Sequence, residues 1–171
     1  MENRRVDRHA ANGPARGGPV VLCCHRANLS GVAVVAGAVF NQSPSKTSFL
    51  RRTGWQEFKG VLAGLRAQCP TAMPVVVRTS WLPDTILGQC IRRRHRFVVS
   101  LNDGMDQPQA IECLLHEWAH ALAWSYSLDK LARDPDVPRE DFEAACHDEA
   151  WGRAYSWGWR AYSGGARAGG G

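Results

Sequence analysis

Two histidines four residues apart, with a glutamate directly after the first, mark the stretch with the clearest chemical potential: His116-Glu117-Trp118-Ala119-His120. On an α-helix, residues four apart lie one turn apart on the same face, so both imidazoles can reach a single point. This spacing predicts that His116 and His120 bind Zn2+. Glu117 then lies beside the metal, where a carboxylate can take a proton from a zinc-bound water.

This combination of residues predicts hydrolysis of peptide bonds. Zinc lowers the pKa of its bound water to about 7 and also polarises a carbonyl, so nucleophile and substrate are activated at one centre. Glu117 is the general base in this scheme. The competing interpretation is two ordinary histidines on a packed helix. In either case Trp118, Ala119 and Ala121 are expected to serve packing.

A catalytic zinc of this type requires a third protein ligand and one open coordination position. The candidates are consecutive in the last predicted helix: His147, Asp148 and Glu149. Residues two apart on a regular helix point about 200° away from each other, so His147 and Glu149 cannot both face the metal. Periodicity leaves the choice between them open. Asp148 is expected either to orient a ligand histidine from behind or to be a solvated acid.

The order of a strand, a His-Glu-x-x-His helix, a loop, and a histidine followed four positions later by tryptophan resembles the SprT-like metallopeptidases and their small phage-encoded relatives. The resemblance covers about residues 50–162 and is carried by residues 115–122 and 147–152. It implies a zinc metalloendopeptidase in which His147, matching the family's His-Gly-x-x-Trp element, is the third ligand. Asp148 stands where that element has glycine, and no cysteine-bearing zinc ribbon follows.

A second resemblance, to peptidases of the ImmA/IrrE type, implies instead that Glu149 completes the site. Either ligand leaves the predicted reaction unchanged. The expected partner is a protein or peptide substrate, and an extended peptide could add as a strand to a sheet edge beside the cleft. The SprT-like resemblance further implies substrates bound to or near DNA.

The oxyanion of the tetrahedral intermediate requires a hydrogen-bond donor close to the metal. We expect Tyr155 in this role, because it lies two turns beyond His147 on the same helical face. Tyr126 and His95 are the alternatives. A separate metal site, formed adventitiously by residues 23–25 (Cys-Cys-His), is a further interpretation of the sequence.

The pattern of apolar residues predicts an α+β framework around the motif. Helices are expected at about residues 55–69, 108–127 and 139–162, and strands at about 75–81, 86–91 and 97–101. Asp106 is predicted to cap the motif helix, with Pro108 in its first turn. We therefore expect a zincin-like fold in which a small antiparallel sheet packs on the motif helix and a second long helix.

The sequence divides into three parts by composition. Residues 1–47 are rich in small and polar residues, with apolar patches at Val20 to Leu22 and at Val32 to Phe40, and predict a flexible, low-complexity arm that carries at most one short strand. Residues 48–162 form the predicted metallopeptidase domain. Residues 163–171 contain mostly glycine and alanine, which predicts a disordered tail.

The composition fits one domain, since a chain of 171 residues with 44% hydrophobic residues can bury a single core. Its 6 cysteines include no Cys-x-x-Cys pair, and no apolar signal region follows the first residues, which predicts a reduced, cytoplasmic protein, in the host cytoplasm if phage-encoded. The most apolar stretch, residues 32–40, is far shorter than the roughly 20 residues of a membrane span.

The formal net charge of +5 is concentrated in the N-terminal arm and in the run Arg92-Arg93-Arg94-His95-Arg96. Such a run is typical of a solvated hairpin tip, and it also permits a weak contact with nucleic acid. It supports the alternative function of a non-catalytic, zinc-containing protein that is associated with nucleic acid or accessory to a phage.

Overall fold

A computed structural model of the chain describes residues 20–25 and 55–168, and the elements named below lie within them. Four strands and five helices follow one another in this part of the chain. In chain order they are β1 (Val20–His25), α1 (Gln56–Gln68), β2 (Val75–Ser80), β3 (Ile86–Arg93), β4 (Arg96–Asn102), α2 (Gln107–Ala123), α3 (Tyr126–Leu131), α4 (Arg139–Cys146) and α5 (Glu149–Ala168). The fold is α+β, as the sequence predicts.

The four strands form one sheet in the order β1-β3-β4-β2. β3 and β4 form an antiparallel hairpin whose turn contains Arg94 and His95, and β1 pairs antiparallel with the other side of β3. β1 is also the short strand that the sequence predicts within residues 1–47. The rest of that segment lies outside the described residues, as does the predicted boundary at residue 48.

The prediction of an antiparallel sheet is wrong for β2, which pairs parallel with β4. β4 carries five consecutive buried residues from Phe97 to Leu101 and takes a central place in the sheet, as near-continuous apolar strands do. β2 therefore pairs with the free side of β4 rather than forming a hairpin with β3. The Asn102 side chain fixes the crossing connection by donating to the carbonyls of Leu82 and Ile86, at 3.2 and 3.1 Å.

The helix that carries the motif, α2, begins as its sequence predicts. The Asp106 carboxylate accepts from the Gln109 N–H at 2.9 Å, the Gln109 side chain caps the Asp106 N–H in return, and Pro108 lies in the first turn. α2 ends at Ala123, earlier than the predicted residue 127, because Ser125 starts a new helix: its hydroxyl accepts from the Leu128 N–H at 3.1 Å.

The predicted single helix from residue 139 to 162 is two helices, α4 and α5, which are separated at His147 and Asp148. α5 also continues past Tyr162 to Ala168, into the segment predicted as a disordered tail, and residues 169–171 lie outside the description. The helical spacing of apolar residues continues from α4 into α5, so this spacing alone does not predict the break.

The core of the described chain surrounds α2, which contacts three strands, β1, β3 and β4, and two helices, α1 and α5. Trp118 is buried, as expected for a packing residue, and its indole N–H donates to the Cys69 carbonyl at 3.0 Å, which ties α2 to the end of α1. With packing on several sides, α2 offers a rigid support for the histidines it carries.

Candidate metal centre

His116 and His120 lie on the same face of α2, one turn apart, and both are buried. Their Nε2 atoms are 3.1 Å apart. The α-helical spacing alone brings the two imidazoles together, as the sequence predicts.

His147 joins them from the junction between α4 and α5, 31 residues further along the chain. Its backbone leaves the helical conformation (φ −114°, ψ 35°), and its Nε2 lies 3.2 Å from the Nε2 of His116. Its Nδ1 lies 2.8 Å from the Glu143 carbonyl oxygen, which can only accept a hydrogen bond. In neutral His147, Nδ1 therefore carries the proton and the Nε2 lone pair is directed toward the other histidines, the arrangement that metal-binding histidines use.

The three histidines form the one group of metal-ligating side chains of this kind that the described part of the chain contains, with their ligand atoms within 4.8 Å of one another. Nitrogens bound at 2.0–2.1 Å in tetrahedral geometry lie about 3.3–3.4 Å apart. The two spacings from His116, 3.1 and 3.2 Å, are close to that value. This group of donors could hold a metal ion.

Burial favours the neutral form of His116 and His120, which is the form that binds a metal. Burial first, and His147 second, lower the pKa of His116 from 6.5 to about 4. Burial first, and then the two other histidines, hold the pKa of His120 well below its usual value.

The structure places His147 in this group and leaves Glu149 outside it. Glu149 begins α5 with a side chain that is 87% exposed and pairs with Arg153 one turn later. Asp148 caps α5: its carboxylate accepts from the Trp151 N–H at 3.0 Å, and its carbonyl accepts from the Gly152 N–H at 3.0 Å. The partner that orients His147 is thus the Glu143 backbone carbonyl, and Asp148 is a helix cap rather than the carboxylate that orients a ligand histidine.

Glu117 is fully buried and lies on the side of α2 that packs against β3. A Cβ added at Gly88 would be 3.2 Å from the Glu117 Cγ and 3.3 Å from its Oε1. The carboxylate also contributes to the raised pKa of the Cys90 thiol, whose main cause is burial. A Cβ at position 88 would also collide with the Cys113 Sγ, so glycine there lets the strand backbone pass close to both of these α2 side chains.

Aromatic side chains of α5 cover the histidines. The Trp151 ring lies 4.9, 5.8 and 4.8 Å, centroid to centroid, from the rings of His116, His120 and His147. Tyr155 stacks on Trp151 at 5.0 Å and lies 6.1 Å from the His116 ring. Tyr155, the residue predicted to donate a hydrogen bond to the oxyanion, therefore lies next to the three histidines.

The other candidates are placed differently. His95 is exposed in the turn between β3 and β4, and Tyr126 is 85% exposed at the start of α3. Residues 23–25 lie in β1, and their side chains are outside the description. The four-residue spacing of Trp151 from His147 predicts that the two share a helical face, and the Trp151 ring does lie against the His147 ring.

Neither protein-family models, nor curated proteins, nor solved structures contain a significant match to this chain. Within the described residues, every helix is too short or too polar to cross a lipid bilayer.

Proposed function

We propose that this chain is a zinc-dependent metalloendopeptidase with a zincin-like, SprT-type centre formed by His116, His120 and His147. The observation that carries the proposal is the convergence of three imidazoles, two from one helix turn and one from a separate helix junction. Three histidines are a protein donor set of catalytic zinc sites, in which the fourth coordination position is kept for water or substrate.

When bound, zinc supplies a Lewis acid that polarises a peptide carbonyl and acidifies water. The chain's own residues perform the proton transfers. Glu117 follows the first histidine of the motif, and in this proposal its carboxylate takes a proton from the attacking water and delivers it to the leaving amine. The Tyr155 hydroxyl donates a hydrogen bond to the carbonyl oxygen that gains negative charge. The Trp151 ring packs against the three imidazoles, holds them in place and limits the access of water.

The decisive test is Glu117→Gln in the full-length protein, measured as zinc content and as cleavage of fluorescein-labelled casein. We expect one zinc per chain to be retained and cleavage to fall by at least about a hundredfold, the usual range for a general base. The matched control is Glu112→Gln, which makes the same change on the same helix five residues earlier. Unchanged cleavage by Glu117→Gln would remove the role given to Glu117.

A second candidate function is a non-catalytic zinc protein that binds nucleic acid. The observation in its favour is the exposed tip of the β3–β4 hairpin, where Arg93, Arg94 and Arg96 lie close together. This candidate predicts zinc binding without any cleavage, together with DNA binding that weakens steeply with salt and is reduced by Arg94→Ala. Cleavage that depends on Glu117 excludes it as the sole function.

A further inference from the structure

Among the strands that the structure describes, β1 lies at the edge of the sheet, and it passes close to the buried carboxylate of Glu117. It pairs antiparallel with β3, and its residue Cys24 lies opposite Gly88, the residue against which Glu117 packs. Paired strands lie about 4.8 Å apart. The backbone of β1 near Cys24 is therefore one strand spacing from the point where Glu117 meets the sheet.

The pairing of β1 with β3 is irregular at this same point. The register shifts between Cys24 and His25, so that His25 lies opposite Ile86 and Leu87 is passed over. Such an irregularity interrupts the ladder of backbone hydrogen bonds. β1 is thus held least regularly where it passes the carboxylate.

β1 precedes α1 by 30 residues in the sequence, from 26 to 55. Because β1 belongs to the same chain as β3, it competes for the edge of β3 at an effective concentration that a separate peptide must exceed. This effective concentration has an upper limit, so a peptide that pairs with β3 can displace β1 when the peptide is present at a higher concentration.

We propose that the edge of β3 is where the substrate binds and that β1 is an autoinhibitory strand that occupies this edge. The inference rests on the proposed function, because Glu117 marks where a peptide bond is cut. A peptide that replaces β1 runs antiparallel to β3 and brings its own backbone to Glu117. Backbone pairing recognises extended chain of many sequences, so the substrate class is unfolded or extended protein segments.

The test weakens β1 in the full-length protein with the double substitution Val21→Pro and Leu22→Pro. Alternate residues of an edge strand direct their N–H groups to the neighbouring strand, so two successive prolines remove at least one hydrogen bond to β3. The matched control is Val21→Thr with Leu22→Thr, which keeps both N–H groups and the preference for a strand. All variants are also made with Glu117→Gln to measure binding without cleavage.

Binding is measured by fluorescence anisotropy with a labelled peptide of the sequence Pro-Val-Val-Leu-Ser-Ser-His-Arg, which copies β1 and its neighbours with serine at the cysteine positions. We expect the proline variant to bind this peptide at least about tenfold more tightly than the wild type and the threonine control, since the edge is then free. Cleavage of labelled casein is expected to rise in parallel. Equal affinity in all three proteins overturns the inference.

A second variant makes the opposite change and does not depend on the proline variant folding. Val21 and Ile91 are direct partners across the two strands, so Val21→Cys with Ile91→Cys allows a disulfide that fixes β1 on β3. We expect the oxidised form to lose peptide binding and the reduced form to regain it, with Ile91→Cys alone as control. If peptide binding responds to both changes in β1 but no casein is cleaved, this inference is supported and the proposed function is refuted. If casein is cleaved equally well with and without both changes in β1, the proposed function is supported and this inference is refuted.

Discussion

The three histidines differ in how their positions are determined. His116 and His120 are brought together by the local geometry of one helix, so their spacing in the sequence was sufficient to predict the pair. His147 reaches the same point because α4 ends there and its Nδ1 lies within hydrogen-bond distance of the Glu143 carbonyl. That contact is local, but it forms only because the helix ends at His147, and the apolar periodicity that continues through this point leaves His147 and Glu149 as alternatives.

We predict that His147→Ala abolishes zinc binding and that Glu149→Ala leaves it intact. His147 supplies one of the three converging nitrogens, whereas Glu149 is exposed and paired with Arg153. The measurement is zinc content by mass spectrometry after dialysis against a weak chelator. Metal retention that depends on Glu149 and not on His147 would contradict the assignment of ligands.

A second prediction at the residue scale concerns the stability of the protein at alkaline pH. Burial, and secondarily Glu117, raise the pKa of Cys90 well above its usual 9.0, so the unfolded chain loses this proton first as the pH rises. The unfolded state then binds fewer protons than the folded state, and the free energy of unfolding falls above pH 9 by about 1.4 kcal/mol per pH unit for this thiol.

The measurement for Cys90 is urea unfolding of the reduced, zinc-free protein between pH 8 and pH 11 (roughly the window above the unfolded pKa). In Cys90→Ala the free energy of unfolding is expected to fall less steeply with pH, because the contribution of this thiol is removed while those of other groups remain. Identical slopes for Cys90→Ala and the wild type would show that the thiol does not titrate in the unfolded state as described.

At the scale of elements, the sequence predicted best where local signals act alone. α2 has a complete capping box and a proline in its first turn, and α1 has one apolar face, so both helices were found. The parallel pairing of β2 could not be found in this way, because it depends on which strand takes the centre of the sheet. The break between α4 and α5 is a local feature, yet the apolar pattern that continues through it hid the capping role of Asp148.

We predict that this break is required to position His147. Asp148→Ala removes the cap of α5, which is expected to lower the free energy of unfolding by about 1 kcal/mol and to weaken zinc binding measurably. Asp148→Asn keeps an acceptor suited to this position and is expected to behave as the wild type, and Asp148→Gly is expected to lose only a few tenths of a kcal/mol. Thermal unfolding and zinc titration provide the measurements, and equal values for the alanine and asparagine variants would contradict the prediction.

At the scale of the whole molecule, the histidine cluster joins parts of the chain that are otherwise held together by packing and by ion pairs. His116 and His120 belong to a helix buried between the sheet and α5, while His147 lies after α3, α4 and their connecting turns. This intervening region is supported partly by Asp129, which pairs with Arg92 of β3 at 3.2 Å and with Arg133 at 2.9 Å. A metal bound at the cluster would act as a second attachment and would close the chain from α2 to α5.

Metal removal is therefore expected to destabilise the molecule as a whole. An ion that binds only the folded chain stabilises it by about 4 kcal/mol when its concentration is a thousand times its dissociation constant. For a chain of this size that corresponds to a loss of roughly 10 °C in Tm on complete chelation.

Scanning calorimetry with and without chelator provides the measurement, and added zinc should restore the lost stability where magnesium does not. His116→Ala is the control, because a chain without this ligand should unfold at one temperature in both conditions. A wild type with the same Tm before and after chelation would mean that the cluster holds no metal that matters to the fold.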